Sequence, residues 1–180
     1  MTPARGFELF DTPIGPCAIV WGELGVLGLH LPHRDAATMR ARLRQRFRGA
    51  EEGDAPPAVR VAITRIVALL NGASDDLADV ALDMSGVPDF HRRVYALART
   101  IVPGATLSYG EVAQRLGDPT AARAVGQALG SNPFAIIVPC HRVLAAGGRA
   151  GGFSAPGGVD TKLRLLEIER ARIGSEPSLF

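Results

Sequence analysis

The sequence predicts an α/β N-terminal domain, with a small antiparallel sheet and helices, and a mainly helical C-terminal domain with a helix-turn-helix, winged-helix-like outline. Residues 1–88 open with three short β-rich runs, whereas residues 89–180 show helical periodicity interrupted by glycine-containing turns. At 47% hydrophobic residues, the 180-residue chain has enough apolar surface for a buried interior. We therefore expect two domains, 1–88 and 89–180, with a linker near residues 85–88.

Composition narrows the functional classes. No N-terminal stretch has the basic start and apolar centre of a signal peptide, and no apolar run reaches the ~18 residues of a membrane span. We expect a cytoplasmic protein without membrane contact. Cys17 and Cys140 are too few for a disulfide framework or a four-cysteine zinc site, so we expect no metal.

Charge is divided unevenly along the chain. Residues 1–88 hold nine basic and eleven acidic side chains, net −2, and residues 89–180 hold eleven and seven, net +4, which together give the overall +2. A basic C-terminal half favours a polyanionic partner.

The first elements are three strands and a helix. Residues 7–10, 17–21 and 26–31 are β-rich runs separated by proline- and glycine-containing turns, which indicates an antiparallel meander. Asp35 can then cap a helix, whose apolar face holds Met39, Leu43 and Phe47.

The rest of the N-terminal half completes a supporting domain. After a polar loop at 49–57, residues 59–70 carry an apolar helical stripe that ends before Gly72. Residues 79–84 alternate polar and apolar side chains and are interpreted as one more strand. No catalytic set of residues assembles in this half.

The second half is read as a series of helices. A stripe of apolar residues runs from 90 to 101, Ser108 can cap a helix at 109–116, and a turn leads into a helix at 120–129. Two short helices joined by a tight turn are the outline of a helix-turn-helix, although many helical hairpins bind no DNA.

The second of these helices has an unusual outer face, formed by Arg123, Gly126, Gln127 and Gly130. Glycine destabilises a helix interior by about 1 kcal/mol, so Gly126 needs a reason. Close approach of a DNA groove is one explanation, and packing against another helix is the alternative.

Cys140 and His141 follow an apolar run at 134–138 that ends in a proline. A thiol becomes a strong nucleophile as thiolate, and a neighbouring imidazole can promote that ionisation. The alternative is that Cys140 is a small buried core residue, as most intracellular cysteines are.

The residues around this pair carry a family resemblance. Residues 132–133, the Pro-Cys-His-Arg-Val run at 139–143, Gly-Phe-Ser at 152–154, the glycine pair 157–158, Lys162 and the stretch 165–169 together resemble the O6-alkylguanine-DNA alkyltransferases, or methylated-DNA–protein-cysteine methyltransferases. The similarity covers residues 90–169, and the Pro-Cys-His-Arg-Val run is its most specific part.

The resemblance implies a direct displacement on alkylated guanine. Cys140 would accept the alkyl group, His141 would take its proton through a water, and Glu169 would hold the imidazole in the useful tautomer. Helical periodicity puts Glu169 at the edge of an apolar stripe, where a carboxylate needs a partner. The alternative to His141 is an arginine such as Arg170 or Arg172.

Further roles come from the same resemblance. Asn132 would brace the turn before the cysteine, and the helix of Arg123 and Gly126 would lie in the minor groove. Arg123 would fill the place of the flipped nucleotide, and Tyr109 would help rotate that nucleotide and donate to its ring. Without the resemblance, Tyr109 is equally a half-buried residue at a helix start.

The resemblance also implies which groups bind the guanine in the substrate pocket. The carbonyls of Cys140 and Val143 would accept from the guanine amino group, and the Ser154 N–H would donate to O6. Phe153 replaces the tyrosine usual in this family, and residues 155–156 are inserted before the glycine pair. These departures affect the role of Ser154 and the width of the pocket, and they leave the cysteine, histidine and glutamate untouched.

The expected function is therefore repair of double-stranded DNA containing O6-alkylguanine, by a protein that acts once and needs no diffusible cofactor. An alkyltransferase-like protein that binds lesions without repair is the alternative, but such proteins lack the acceptor cysteine. A Cys-His hydrolase would need an oxyanion hole, and a simple DNA-binding regulator would need a dimerisation element; neither is evident. We expect a monomer in solution, and cooperative binding along DNA stays open.

Overall fold

A computed structural model describes residues 3–173 of the chain. The chain divides into two compact units. One runs up to Ala73 and includes Leu77–Val87 and Pro133–Ile137. The other contains Ser74–Asp76, Pro88–Asn132 and the chain from Val138 onward.

The first unit is built on a four-stranded sheet in the order β3-β2-β1-β4. Its strands are β1 (Ala4–Phe10), β2 (Cys17–Gly22), β3 (Val26–His30) and β4 (Glu51–Glu52). The first three pair antiparallel, as the meander predicts. The expectation of a purely antiparallel sheet is wrong, because β4 pairs parallel with β1.

Helix α1 (Ala36–Arg46) explains the parallel strand. Asp35 caps it as predicted, accepting a 2.7 Å bond from the Thr38 N–H. The helix returns the chain to the far edge of the sheet, where Glu52 pairs with Arg40 at 2.8 Å. A two-residue strand of glutamates has no apolar alternation, so the sequence pattern does not reveal it.

The apolar face of α1 closes the first core. Met39, Leu43 and Phe47 are buried in one cluster with side chains from the sheet, namely Phe7, Ala18, Val20 and Leu27. Helix α2 (Pro57–Leu70) follows, and the left-handed φ of 97° at Gly72 ends it.

Residues 79–84 do not form the predicted strand. Leu82 makes a single bridge with Val26, through two backbone bonds that Val26 exchanges with Ala81 and Asp83. The Asp83 carboxylate then accepts from both the N–H and the hydroxyl of Ser85, at 3.0 and 2.6 Å. This local turn competes with the ladder and ends the extended stretch.

Pro133–Ile137 forms a strained buried segment of the first unit. The Pro133 carbonyl accepts from the Leu29 N–H at 2.9 Å, so the segment borders β3. Ile136 has a φ of 70°, and the Ile137 N–H bonds to the Ala135 carbonyl at 2.9 Å across it. A β-branched residue in this region carries strain of about 1–3 kcal/mol, which the surrounding packing must offset.

The second unit contains four α-helices and a short two-stranded sheet within the described residues. The helices are α3 (Asp89–Ala98), α4 (Tyr109–Arg115), α5 (Ala122–Gly130) and α6 (Gly158–Ile168), and the parallel strands are β5 (Leu107–Ser108) and β6 (Val143–Leu144). Together with the first unit, this gives a four-stranded mixed sheet, a two-stranded parallel sheet and six α-helices in the described part of the chain.

Local signals set the helix ends in this unit. Ser108 caps α4 in a reciprocal capping box with Glu111, as expected from the sequence. Helix α5 begins later than the predicted residue 120, because Asp118 accepts from the N–H and the hydroxyl of Thr120 and holds them in a turn. In α3 the buried face includes Tyr95, whose hydroxyl donates to the Ala128 carbonyl at 2.7 Å.

Among residues 3–173, no helix has the length and apolar character needed to cross a membrane.

Candidate active site

Cys140 is presented by two consecutive tight turns. Pro139 has φ −80° and ψ 65°, and the Cys140 N–H donates to the Val138 carbonyl at 2.8 Å, which defines an inverse γ-turn. The Asn132 side chain donates a 2.9 Å bond to the same carbonyl. Cys140–Arg142 then form a 3-10 turn. The backbone therefore fixes the direction in which the thiol projects.

The Cys140 side chain lines a cavity of about 600 Å³. The other lining residues come from α4, α5 and the loop before α6, and they are Tyr109, Ala122, Arg123, Gly126, Gln127, Leu129, Gly130, Gly152, Phe153 and Ser154. Six of the ten site residues predicted from the sequence thus surround one cavity. Asn132, His141, Val143 and Glu169 are not among its lining residues.

His141 and Arg142 share the carboxylate of Glu169. His141 Nε2 lies 2.9 Å from Oε1, and Arg142 donates from Nε to Oε2 at 2.9 Å and from Nη2 to Oε1 at 2.7 Å. The two-pronged arginine contact fits the planar carboxylate. Arg142 also donates from Nη1 to the Ile101 carbonyl at 2.6 Å. Glu169 therefore bonds both the predicted partner and an arginine that the sequence did not single out.

This network selects one tautomer of His141. An ionised carboxylate only accepts hydrogen bonds, so the Nε2 atom that faces Glu169 carries the hydrogen. The His141 Nδ1 atom is buried and has no hydrogen-bond partner in the described part of the chain. In neutral imidazole this nitrogen is the acceptor. The geometry thus leaves Nδ1 available to take a proton.

Burial and hydrogen bonding set opposing pKa shifts in the pair. Burial opposes ionisation of Glu169, but the bonds from His141 and Arg142 outweigh it and lower the Glu169 pKa to about 2. Burial lowers the His141 pKa, against the bond to Glu169, which raises it. His141 is accordingly a neutral base beside a carboxylate anion.

Acid should weaken the fold through Glu169. A carboxyl whose pKa is lower in the folded state contributes stability above its unfolded pKa, and this contribution is lost as the pH falls through the folded value. With a shift from 4.5 to about 2, we expect the free energy of unfolding to drop by on the order of 3 kcal/mol between pH 5 and pH 2. Urea unfolding across this range measures the drop, and Glu169→Gln should flatten it. An equal pH dependence in the variant would contradict the assignment.

Lys162 is a buried cation beside the cavity. Its side chain is completely inaccessible to solvent, and its Nζ donates to the Val143 carbonyl at 2.7 Å and to the Gly152 carbonyl at 3.4 Å. The same nitrogen lies 5.7 Å from the centre of the Tyr109 ring, within range of a cation-π contact. One of the two lone pairs of the Val143 carbonyl is therefore already engaged.

The thiol and the phenol next to this lysine also have shifted pKa values. Burial raises the Cys140 pKa, while a hydrogen bond from Asn132 and the charge of Lys162 act in the opposite direction. Burial raises the Tyr109 pKa, and a charge on Cys140 adds to that rise. Tyr109 thus keeps its hydroxyl proton and can donate it.

The outer face of α5 is open. Arg123 and Gln127 are exposed, whereas Val125, Ala128 and Leu129 are buried on the opposite side. A Cβ atom added at Gly126 would meet only the Tyr109 ring, at 3.9–4.0 Å, which is ordinary van der Waals contact. Tyr109 belongs to α4, so Gly126 does face a neighbouring helix, but the space beside it would also accept a side chain.

The loop before α6 holds the two remaining pocket residues. The Ser154 hydroxyl donates to the Gly130 carbonyl, at the end of α5, with a distance of 2.8 Å. The Thr161 hydroxyl, in the first turn of α6, donates a 2.9 Å hydrogen bond to the carbonyl of the inserted Pro156. Phe153 lines the cavity without a hydroxyl of its own.

The sequence analysis did not predict a role in the site for Arg142 or Lys162. Both belong to the motif, yet buried cations are rare, and periodicity treats such side chains as solvated. One signal was available for Lys162, since it is the only lysine among 20 basic residues.

The chain is similar to proteins of one known family. Residues 89–171 match a family model described as the DNA-binding domain of 6-O-methylguanine DNA methyltransferase. The chain is 38% identical, over 97% of its length and 98% of the relative's, to a methylated-DNA–protein-cysteine methyltransferase from Mycobacterium tuberculosis. It also resembles the crystal structure of an O6-methylguanine methyltransferase from that organism, with a TM-score of 0.72, 35% identity and coverage of 97% and 98%. A further structure, of Mycobacterium tuberculosis OGT in complex with DNA, matches with a TM-score of 0.72, 35% identity and coverage of 94% and 96%.

Proposed function

This chain belongs to the methylated-DNA–protein-cysteine methyltransferase family, and we propose that it repairs DNA by moving an alkyl group from O6 of guanine irreversibly to its own Cys140. The observation that carries the proposal is the placement of Cys140 at an open cavity, directly before a buried His141 that is bonded to Glu169. The relatives that match nearly the whole chain are named for this reaction.

The proposed reaction accounts for each proton, electron pair and bond that changes. The Cys140 thiol loses its proton to His141 through a water, and the thiolate sulfur attacks the alkyl carbon. A sulfur–carbon bond forms, the carbon–O6 bond breaks, and its electron pair goes to the guanine. A proton donor at the leaving guanine then neutralises it. Since no group described here reverses a thioether, each molecule acts once.

Most of the groups proposed to bind the guanine line the cavity, whereas Val143 is fully buried and is not among the lining residues. In this proposal the Tyr109 hydroxyl donates to the guanine ring and the Ser154 N–H donates to O6, and both residues line the cavity. The carbonyls of Cys140 and Val143 are the acceptors for the amino group, with Val143 using the lone pair that Lys162 leaves free. Asn132 holds the turn that precedes the cysteine.

We further propose that α4 and α5 form a helix-turn-helix whose second helix enters the minor groove. The open face at Gly126 supports this, because a glycine there allows the DNA backbone to approach. An alkylated base within the duplex is out of reach of a thiol that is 8% exposed, so the nucleotide must rotate out of the stack. In this arrangement residues 89–180 bind DNA and catalyse, and residues 1–88 support them.

Arg123→Ala should mainly weaken binding to damaged duplex. Arg123 is exposed on the groove face, where its flat cation can occupy the vacated position in the stack. We expect an affinity loss of tenfold or more, about 1.4 kcal/mol, in fluorescence anisotropy with an O6-methylguanine duplex. Arg42→Ala, an exposed arginine of α1, removes the same charge away from α5 and serves as the control. If the two variants bind alike, α5 is not the groove helix.

Single turnover gives a direct test of the function. With increasing lesion-containing duplex, conversion of O6-methylguanine to guanine should stop at one lesion per protein molecule. Continued turnover would point to a different chemistry. Binding without conversion would favour the lesion-binding alternative, which the presence of Cys140 argues against. We also propose that the protein acts as a monomer, which sedimentation of the free chain can check.

A further inference from the structure

The buried groups around Cys140 carry an unbalanced charge. Arg142 and Lys162 are cations, Glu169 is the only carboxylate bonded to either in this cluster, and His141 is neutral. Arg142 and Glu169 neutralise each other through a two-pronged contact. Lys162 instead bonds two carbonyl oxygens and faces an aromatic ring, none of which bears a full charge.

An isolated buried ammonium is unfavourable unless an opposite charge compensates it. Tyr109 and Gly152, which Lys162 Nζ contacts, line the same cavity as Cys140. The titratable groups that interact with Lys162 are Cys140 and His141, and His141 is neutral. Tyr109 covers Lys162 from α4 with a ring and no charge. Among these groups only a Cys140 thiolate supplies an anion that is not already paired.

We propose that Lys162 is the counter-ion of the Cys140 thiolate, and therefore a positioning residue for alkyl transfer. This inference rests on the proposed function only for its kinetic readout. His141 receives the proton, but the buried charge that favours the thiolate is the ammonium of Lys162. The carbonyl bonds to Val143 and Gly152 hold that ammonium in place.

The pKa directions agree with such a pair. Burial lowers the Lys162 pKa to about 8, and the charge of Cys140 raises it again. Conversely, burial raises the Cys140 pKa, and the charge of Lys162 lowers it. Each group therefore favours the charged form of the other.

The kinetic test uses Lys162→Met, which keeps an unbranched stem against Tyr109 and removes the charge. Single-turnover methyl transfer is measured from pH 6 to pH 10 with saturating duplex. We expect the midpoint of the pH-rate profile to move up by about one unit. Since one unit of pKa is a tenfold change in the thiolate fraction, the rate at pH 7.5 should fall about tenfold. The rate should recover at high pH. A uniform loss at every pH indicates a structural role and overturns the proposal.

The matched control is Arg164→Met, which removes an exposed cation from the same helix. Its pH midpoint should equal that of the wild type. If it moves as far as that of Lys162→Met, net charge rather than pairing with the thiolate is responsible.

A second measurement needs neither activity nor a lysine variant. Because Lys162 is the only lysine, ¹³C labelling of lysine gives one side-chain signal, whose shift reports the ionisation of the amine. We expect the midpoint of this titration to be at least one unit lower in Cys140→Ser than in the wild type, since serine cannot supply the anion. Equal midpoints would overturn the pairing. Absence of methyl transfer in the wild type would instead overturn the proposed function and leave this readout intact.

Discussion

Cys140→Ser is expected to abolish alkyl transfer while the affinity for O6-methylguanine duplex stays within about twofold of the wild type. A serine hydroxyl fits the place of the thiol but ionises far less readily, so it does not attack the alkyl carbon. The residues proposed to contact DNA, on α5, are untouched by this change. Transfer is measured with a labelled methyl group and affinity by anisotropy.

The matched control is Cys17→Ser. Cys17 is a buried thiol of the first unit whose pKa burial raises to about 12, so it stays protonated. We expect this variant to transfer the methyl group at the wild-type rate per folded molecule. Residual transfer in Cys140→Ser, or its loss in Cys17→Ser, would contradict Cys140 as the acceptor.

Arg142→Met is expected to reduce the free energy of unfolding by about 3–5 kcal/mol, as is usual when one partner of a buried ion pair is removed. The Arg142 and Glu169 side chains are 1% and 4% exposed. Removing the arginine leaves a buried carboxylate with His141 alone and frees the Ile101 carbonyl of its side-chain donor. Urea unfolding at pH 7 gives the difference directly.

The contrast is Arg60→Met, which removes an ion pair with Glu8. That arginine is 44% exposed, and its carboxylate partner can be rehydrated. Surface pairs of this kind contribute about 0–1 kcal/mol. The double variant Arg142→Met/Glu169→Gln should recover part of the lost stability, because the uncompensated charge is gone. Equal losses for Arg142→Met and Arg60→Met would show that the buried network is not held by charge.

Elements set by local signals could be predicted from the sequence. The Asp35 cap of α1 and the Ser108 capping box of α4 depend on residues within one turn, and both are present. The burial of Val125, Ala128 and Leu129 follows from helical spacing alone. The pairing of Glu169 with His141 rests on the edge position of Glu169 together with the family resemblance, and the structure brings the two together.

Features that depend on distant partners could not be predicted. The strand at Glu51–Glu52 exists because of its place beside β1 and its ion pairs with α1. Residues 79–84 alternate like a strand, but Asp83 bonds Ser85 locally instead. The positive φ of Ile136 could not be predicted either, because glycine is the residue that usually indicates such a backbone conformation.

The buried cations show the same limit at the site itself. Arginine and lysine side chains are usually exposed, so the pattern of apolar residues does not predict that Arg142 and Lys162 are buried. Their role depends on which carboxylate and which carbonyl groups the fold places beside them. The chemistry of Cys140 could be predicted, but the charges that surround it could not.

The central claim is that Cys140 itself accepts the alkyl group. The most direct test is intact-protein mass spectrometry after mixing the chain with duplex DNA that carries one O6-methylguanine, followed by peptide mapping. We predict a gain of one methylene mass, saturating at one per molecule, on the peptide that contains Cys140. No gain while the duplex is bound, or a gain on the peptide of Cys17, would contradict the account.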